Sequence, residues 1–189
     1  KGFFAFMEAE KIYPNIANGI KGAKHQQGFR KDALTVEQAR RLLNGIDTAT
    51  IEGLRNYALI NLLLNTGLRT IEAERASIGD IRQEGGEALL YIQGKGRDSK
   101  DAFVVLTDST LYPIQKYLKA RSIIDPKAPL FASHSDRNEG NRITTRTISW
   151  IVKEALRAVG IDSERITAHS LRHTAVTLSL LAGATIQEA

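Results

Sequence analysis

The apolar pattern of this chain changes period at Ile78 and changes back after Leu106, which constrains the fold more than any other feature. Between those points short apolar runs alternate with glycine turns. Gly85-Gly86 precedes Ala88-Leu89-Leu90-Tyr91-Ile92, and Gly94-Lys95-Gly96-Arg97-Asp98-Ser99 precedes Phe103-Val104-Val105-Leu106. These are hairpin signals, so the spacing predicts a small antiparallel sheet of three strands.

Helical spacing brackets that sheet. Thr35 and Gln38 stand at capping-box distance, Leu34 and Ala39 can staple the entry, and Val36, Ala39, Leu42, Leu43 and Ile46 share a face. A more apolar helix over about residues 50–65 stops at Thr66-Gly67, where glycine suits a left-handed cap. Its apolarity places it centrally in the core. A further helix starts near Asp108, with Leu111, Ile114 and Leu118 on one side, and residues 125–142 read as a polar loop around Pro126 and Pro129. Ile148, Ile151, Val152, Ala155, Leu156 and Val159 make the cleanest amphipathic helix, closed by Gly160. A last complete helix runs from near His169 to Ala182, with Leu171, Ala175, Leu178 and Ala182 on its apolar side. The expected class is mainly α with a small three-stranded antiparallel β-sheet, an α+β arrangement.

Residues 1–13 resemble the last turns of a helix ended by Tyr13-Pro14. From Lys11 to Lys31 there is no acidic residue, while Lys11, Lys21, Lys24, Arg30 and Lys31 are basic. This is an extended basic linker: either a solvated connector or a strap lying on DNA phosphates. The chain does not begin with Met and stops at Gln187-Glu188-Ala189, just after a helix begins, so both ends read as cuts.

A length of 189 residues fits one sizeable domain, or one domain plus a fragment of another. A net charge of +5 and a pI near 9.5 favour a polyanionic partner without specifying it. The absence of cysteine excludes disulfides and Cys-based zinc sites and is compatible with an intracellular setting. No apolar run approaches the roughly 18 residues of a membrane span. The stretch Phe3–Met7 is too short for a signal-peptide core.

Three clusters are able to carry chemistry. In Thr66-Gly67-Leu68-Arg69-Thr70-Ile71-Glu72, an arginine follows a helix-ending glycine, and Glu72 three residues on can hold its guanidinium from behind. Taken alone this is an ordinary surface ion pair. Lys95 sits on a turn between glycines, where a lysine can approach a phosphodiester. Alone it is a solvated turn lysine, and the spacing is not that of a Walker loop. In His169-Ser170-Leu171-Arg172-His173, the residues His169, Arg172 and His173 share one side of a helix start, a setting that favours anions. The zinc pattern HExxH fails because Ser170 stands where it needs glutamate.

The combination is less ordinary than its parts. Two arginines, a lysine and a histidine, each at a turn or helix start, are what a metal-independent phosphoryl-transfer site needs. Two guanidinium forks neutralise the non-bridging oxygens, while lysine and histidine move protons. No carboxylate cluster suited to two magnesium ions stands out.

These motifs, in this order, resemble those of the tyrosine recombinases of the phage integrase family. The residues that carry the likeness are Thr66-Gly67-Leu68-Arg69-x-x-Glu72, Gly94-Lys95-Gly96, and His169-x-Leu171-Arg172-His173-Thr174. Weaker similarities lie at Leu34-Thr35-x-Glu37-Gln38, Pro129-Leu130-Phe131 and Leu181-x-x-Gly183-Ala184, so the likeness covers about residues 33–189. The resemblance implies site-specific DNA recombination on double-stranded DNA through a 3′-phosphotyrosyl intermediate, with neither cofactor nor metal, by a tetramer acting on two duplexes inside the cell at the nucleoid. It implies that Arg69 and Arg172 grip the scissile phosphate, Lys95 protonates the departing 5′-oxygen, His169 assists proton transfer involving the tyrosine, Glu72 supports Arg69, and His173 is structural. It divides the chain into residues 1–30, the tail of a core-DNA-binding domain with a linker carrying Lys21, Lys24, Arg30 and Lys31, and residues 31–189, a catalytic domain lacking its C-terminal segment. Tyr13, Tyr57, Tyr91, Tyr112 and Tyr117 all precede His169 and none matches the family's nucleophile. The chain as written is therefore expected to bind DNA without cleaving it. Two alternatives stay open: a module or competitor that binds without cutting, and a nicking enzyme resembling type IB topoisomerases.

Overall fold

The most apolar segment of the chain forms its central helix. In the computed structural model, which describes residues 2–21, 32–94 and 96–185, α1 spans Gly2–Ala9, α2 Val36–Asn44 and α3 Ile51–Thr66. Ala58, Leu59, Ile60 and Leu62 of α3 are fully buried. Thr50 caps the start of α3, its hydroxyl accepting from the Gly53 amide at 3.1 Å. At the other end Gly67 takes a left-handed φ of 63° and donates its amide to the Leu63 carbonyl at 3.1 Å.

Short α4 (Thr70–Arg75) leads through a 3₁₀ turn at Ile78–Asp80 into the sheet. Its strands are β1 (Ile81–Glu84), β2 (Glu87–Ile92) and β3 (Ala102–Leu106). They are antiparallel in the order β1-β2-β3, with Leu90 opposite both Ile81 and Val104. Ala88, Leu90, Ile92 and Leu106 face the core, while Phe103 and Val105 alternate outward. Helices α5 (Asp108–Arg121), α6 (Thr145–Ala158) and α7 (Ala168–Leu181) complete the domain. Both α5 and α7 pack on α3, and α6 packs on α4 and α7. The mainly helical class with a three-stranded antiparallel sheet is the observed one.

Four local expectations need correction. The first helix ends at Ala9 rather than at Tyr13-Pro14, and Lys11 takes a φ of 55°. Val36 is 48% exposed, because it lies in the first turn of α2, off the side that carries Ala39 and Leu42 inward. Ala182 lies beyond α7 and is exposed. The 125–142 loop is not uniformly polar: Leu130, Phe131 and Ala132 are buried. Backbone bonds from Leu130 N to Ala76 O at 2.9 Å and from Ile78 N to Ala128 O at 3.0 Å bind that segment to the start of the sheet. Lys24, Arg30, Lys31 and Lys95 lie outside the described residues. Lys21 is exposed, and α1 buries none of its residues.

Candidate active site

Arg69 is the N-cap of α4, in extended conformation two residues after the left-handed turn at Gly67. Glu72 sits one turn into α4 and is 3% exposed. Its carboxylate accepts from the Arg69 amide at 2.7 Å and from Arg69 Nη1 at 2.9 Å. This is no ordinary surface pair. One partner is buried and holds the backbone and guanidinium of the same residue, while the Arg69 side chain stays 48% exposed on its far side. The spacing anticipated the pairing; the burial depended on packing that spacing does not encode.

The second arginine comes from α7. Arg172 Nη1 donates to the Gly67 carbonyl at 2.5 Å, so its guanidinium is fixed to the turn that precedes Arg69. The start of α7 is itself organised by serine and threonine. The Ser170 hydroxyl accepts from the Thr167 amide at 3.0 Å and donates to the Arg165 carbonyl at 3.2 Å. The buried Thr174 hydroxyl donates to Ser170 O and accepts from the Leu34 amide, each at 2.8 Å. His169 and His173 meet edge to face, with ring centroids 4.8 Å apart.

Arg69, His169 and Arg172 line one cavity of about 270 Å³, together with Leu68, Thr70, Ile71, Ser149, Thr167 and Ala168. Three of the four residues expected to act on a phosphate are thus brought together from α4 and α7. Glu72 braces the site from behind. His173, half-buried beside His169, is not among the lining residues. Sequence reasoning missed Ser149, Thr70 and Thr167. Ser149 lies one turn after Thr145 and donates to its carbonyl at 2.9 Å; the apolar spacing of α6 places it off the buried side, but only packing against α7 brings it to the cavity. None of the five tyrosines lines this cavity: Tyr91 bonds to Glu84, Tyr117 is buried beside His134, and Tyr57 and Tyr112 border a separate hollow. Among the described residues, no group of three or more His, Asp or Glu is placed to hold a metal ion.

The far end of α4 is secured as firmly as its start. Arg142 donates to the carbonyls of Glu74 and, at 2.6 Å, Ala76, and through Nη2 to Ser77 Oγ at 2.9 Å. Burial holds this guanidinium below its ordinary pKa. The Glu74 carboxylate accepts from the Thr145 amide at 2.5 Å and so joins α4 to the start of α6. The six-residue helix that launches Arg69 is clamped at both ends, which limits how far that guanidinium can wander.

The same fold occurs in solved recombinases. The structure titled XerH site-specific recombinase bound to palindromic difH substrate, post-cleavage complex, superposes with a TM-score of 0.74 at 24% identity, covering 100% of this chain and 56% of that one. The lambda integrase catalytic core gives a TM-score of 0.58 at 18% identity, covering 81% of this chain and 85% of that one. The architecture is therefore that of a tyrosine-recombinase catalytic domain. In sequence, a tyrosine recombinase XerC from Caldanaerobacter subterraneus subsp. tengcongensis is 36% identical over 148 residues, 77% of this chain but only 38% of that protein. The profile of the phage integrase family matches residues 32–188, and the chain belongs to that family.

Proposed function

We propose that this chain supplies the catalytic domain of a site-specific DNA recombinase, in which Arg69 and Arg172 hold the scissile phosphate of double-stranded DNA. The carrying observation is that Arg69, Arg172 and His169 line one small cavity, with the Arg172 guanidinium anchored on the Gly67 turn and that of Arg69 on Glu72. A transition state with charge on the non-bridging oxygens meets two fixed cationic forks there, without a reorganisation cost. His169 exchanges a proton with the attacking tyrosine. Lys95 gives one to the departing 5′-oxygen. A 3′-phosphotyrosyl link keeps the bond energy, so neither nucleotide nor cofactor is consumed. Residues 31–189 form this catalytic unit, and residues 1–30 the end of a DNA-binding unit with a basic linker. The nucleophile is not among the five tyrosines, since none lines the cavity. The protein works inside the cell at the nucleoid, as a tetramer on two duplexes.

The test is a nicked suicide duplex bearing the crossover sequence, offered to residues 1–189 and to the uninterrupted gene product. A covalent adduct with the latter alone is expected. An adduct formed by residues 1–189, or none with either, contradicts the reading. Relaxation of supercoils without joining two duplexes would favour the topoisomerase-like alternative.

A further inference from the structure

The β2–β3 turn is tied back to α4, the helix that carries Arg69. Arg75, in the last turn of α4, donates from Nη1 to the Gly94 carbonyl at 3.2 Å. The same carbonyl accepts from the Arg97 amide at 3.3 Å. Lys100, on the other side of the turn, donates to the Arg75 carbonyl at 3.3 Å and pairs with the Asp80 carboxylate. Asp80 is fixed in turn by the Ser77 amide at 2.6 Å. Both flanks of the turn are therefore fastened to the C-terminal end of α4. Six residues of helix, about 9 Å of rise, separate Arg75 from Arg69.

Surface economy does not explain this arrangement. A glycine-flanked turn is intrinsically permissive, with Gly96 at a φ of 77°. Two long cationic side chains give up rotamer freedom to restrain it. Neither Arg75 nor Lys100 lines the phosphate cavity. What lies between the two fastenings is Lys95.

We propose that Arg75 and Lys100 are positioning residues: they hold the two flanks of the β2–β3 turn, Gly94 and Lys100 itself, against the helix that carries Arg69, and through those flanks govern proton donation by Lys95. This rests on the assignment of Lys95 as the proton donor. In the step concerned, the tyrosine gives up its proton to His169 as its oxygen bonds to phosphorus, the P–O5′ bond breaks, and the departing 5′-oxygen takes a proton from the lysine. A 5′-bridging sulfur leaves as a thiolate and needs no such proton, because thiols ionise near pH 8.5. Misplacement of the lysine therefore slows loss of oxygen but not loss of sulfur.

The experiment compares single-turnover cleavage of 5′-oxygen and 5′-phosphorothiolate duplexes by the full-length recombinase and its Arg75→Ala, Arg75→Lys, Lys100→Met and Lys95→Ala variants. Arg75→Ala and Lys100→Met are expected to cleave the oxygen substrate about 10- to 100-fold more slowly, the scale of an ångström-level misplacement. On the sulfur substrate they return to within about threefold of the unchanged protein, as Lys95→Ala does, because the proton donor's contribution of about 10²–10⁴-fold is no longer required. Arg75→Lys keeps a donor and recovers part of the oxygen rate. If Lys95→Ala is rescued by sulfur but Arg75→Ala and Lys100→Met stay slow on both substrates, or lose nothing on oxygen, the positioning role is overturned and the lysine assignment stands. If Lys95→Ala is slow on both, the lysine assignment itself falls.

Discussion

Arg172, on α7, donates to the carbonyl of Gly67 at the end of α3 at 2.5 Å, and Gly67 is the residue whose left-handed turn releases the chain toward Arg69. That turn therefore anchors the Arg172 guanidinium two residues before Arg69, whose own guanidinium is held by Glu72. A β-carbon added there would lie 3.4 Å from Ala175 Cβ and 3.9 Å from Arg172 Cγ, which is ordinary contact, so the demand for glycine comes from its φ of 63°. Gly67→Ala is expected to lose about 1–2 kcal/mol of stability, the usual penalty of an L-residue in that conformation. Gly67→Asn should lose less. Urea unfolding of both variants checks this; equal stability of alanine and glycine would show the turn is not under that constraint.

Glu72 is the buried counterpart. Replacing it by glutamine removes the charge while keeping its shape, so the Arg69 amide and guanidinium lose a charged acceptor in a buried place. Glu72→Gln is expected to cost about 1–3 kcal/mol and to weaken DNA binding through a less constrained Arg69. Melting and binding measured on the same preparation separate the two effects. A variant as stable as the parent would mean the carboxylate is an incidental neighbour.

Acid should act on a different part of the domain. The Tyr117 hydroxyl, buried, accepts from the Ala132 amide at 3.2 Å and bonds to His134 Nε2 at 3.0 Å. Burial, and then the field of Arg55, holds the His134 imidazole below its ordinary pKa, against a smaller opposing pull from Glu52. The folded state thus favours neutral His134. Its contribution to stability is complete above the unfolded value of about 6.5 and is lost as pH falls through the lower folded value. His134→Gln is expected to show a smaller drop in melting temperature than the parent between pH 7 and pH 5, roughly the window in which an unfolded histidine charges. Parallel curves for the two proteins would remove His134 as the cause.

Salt reports the phosphate contacts. If Arg69 and Arg172 together neutralise one phosphate, removing both lowers the slope of log K against log salt by about 0.9, and removing either alone lowers it by less. The double variant Arg69→Ala/Arg172→Ala is expected to show the full change in fluorescence-anisotropy titrations with duplex DNA, and each single variant a part of it. An unchanged slope in the double variant would place the DNA elsewhere on the surface.

Much of this was legible before any coordinates. The Thr35–Gln38 capping box forms with both bonds, at 2.9 and 3.2 Å, because everything it needs lies within four residues. The Gly67 cap and the glycine-separated strands are local for the same reason. What escaped depends on distant partners. Leu130, Phe131 and Ala132 are buried within a loop because Arg121 Nη1 donates to Pro129 O at 2.7 Å and Arg55 to Ala132 O at 3.2 Å. No apolar period announces such a segment. In the site, the helical spacing of His169 and Arg172 placed them on one side, but the depth of Glu72 and the presence of Ser149 followed from how α4, α6 and α7 meet.

The central claim is that Arg69 and Arg172 bind one phosphate together. It is tested most directly by titrating residues 1–189 with inorganic phosphate, then with a short duplex, while following the arginine side-chain N–H signals by NMR. Arg69 and Arg172 should shift along a single saturation curve, Arg142 should stay still in its own bonds to the end of α4, and Arg172→Ala should weaken the Arg69 response. Two curves with different midpoints, or an Arg69 response untouched by Arg172→Ala, would contradict it.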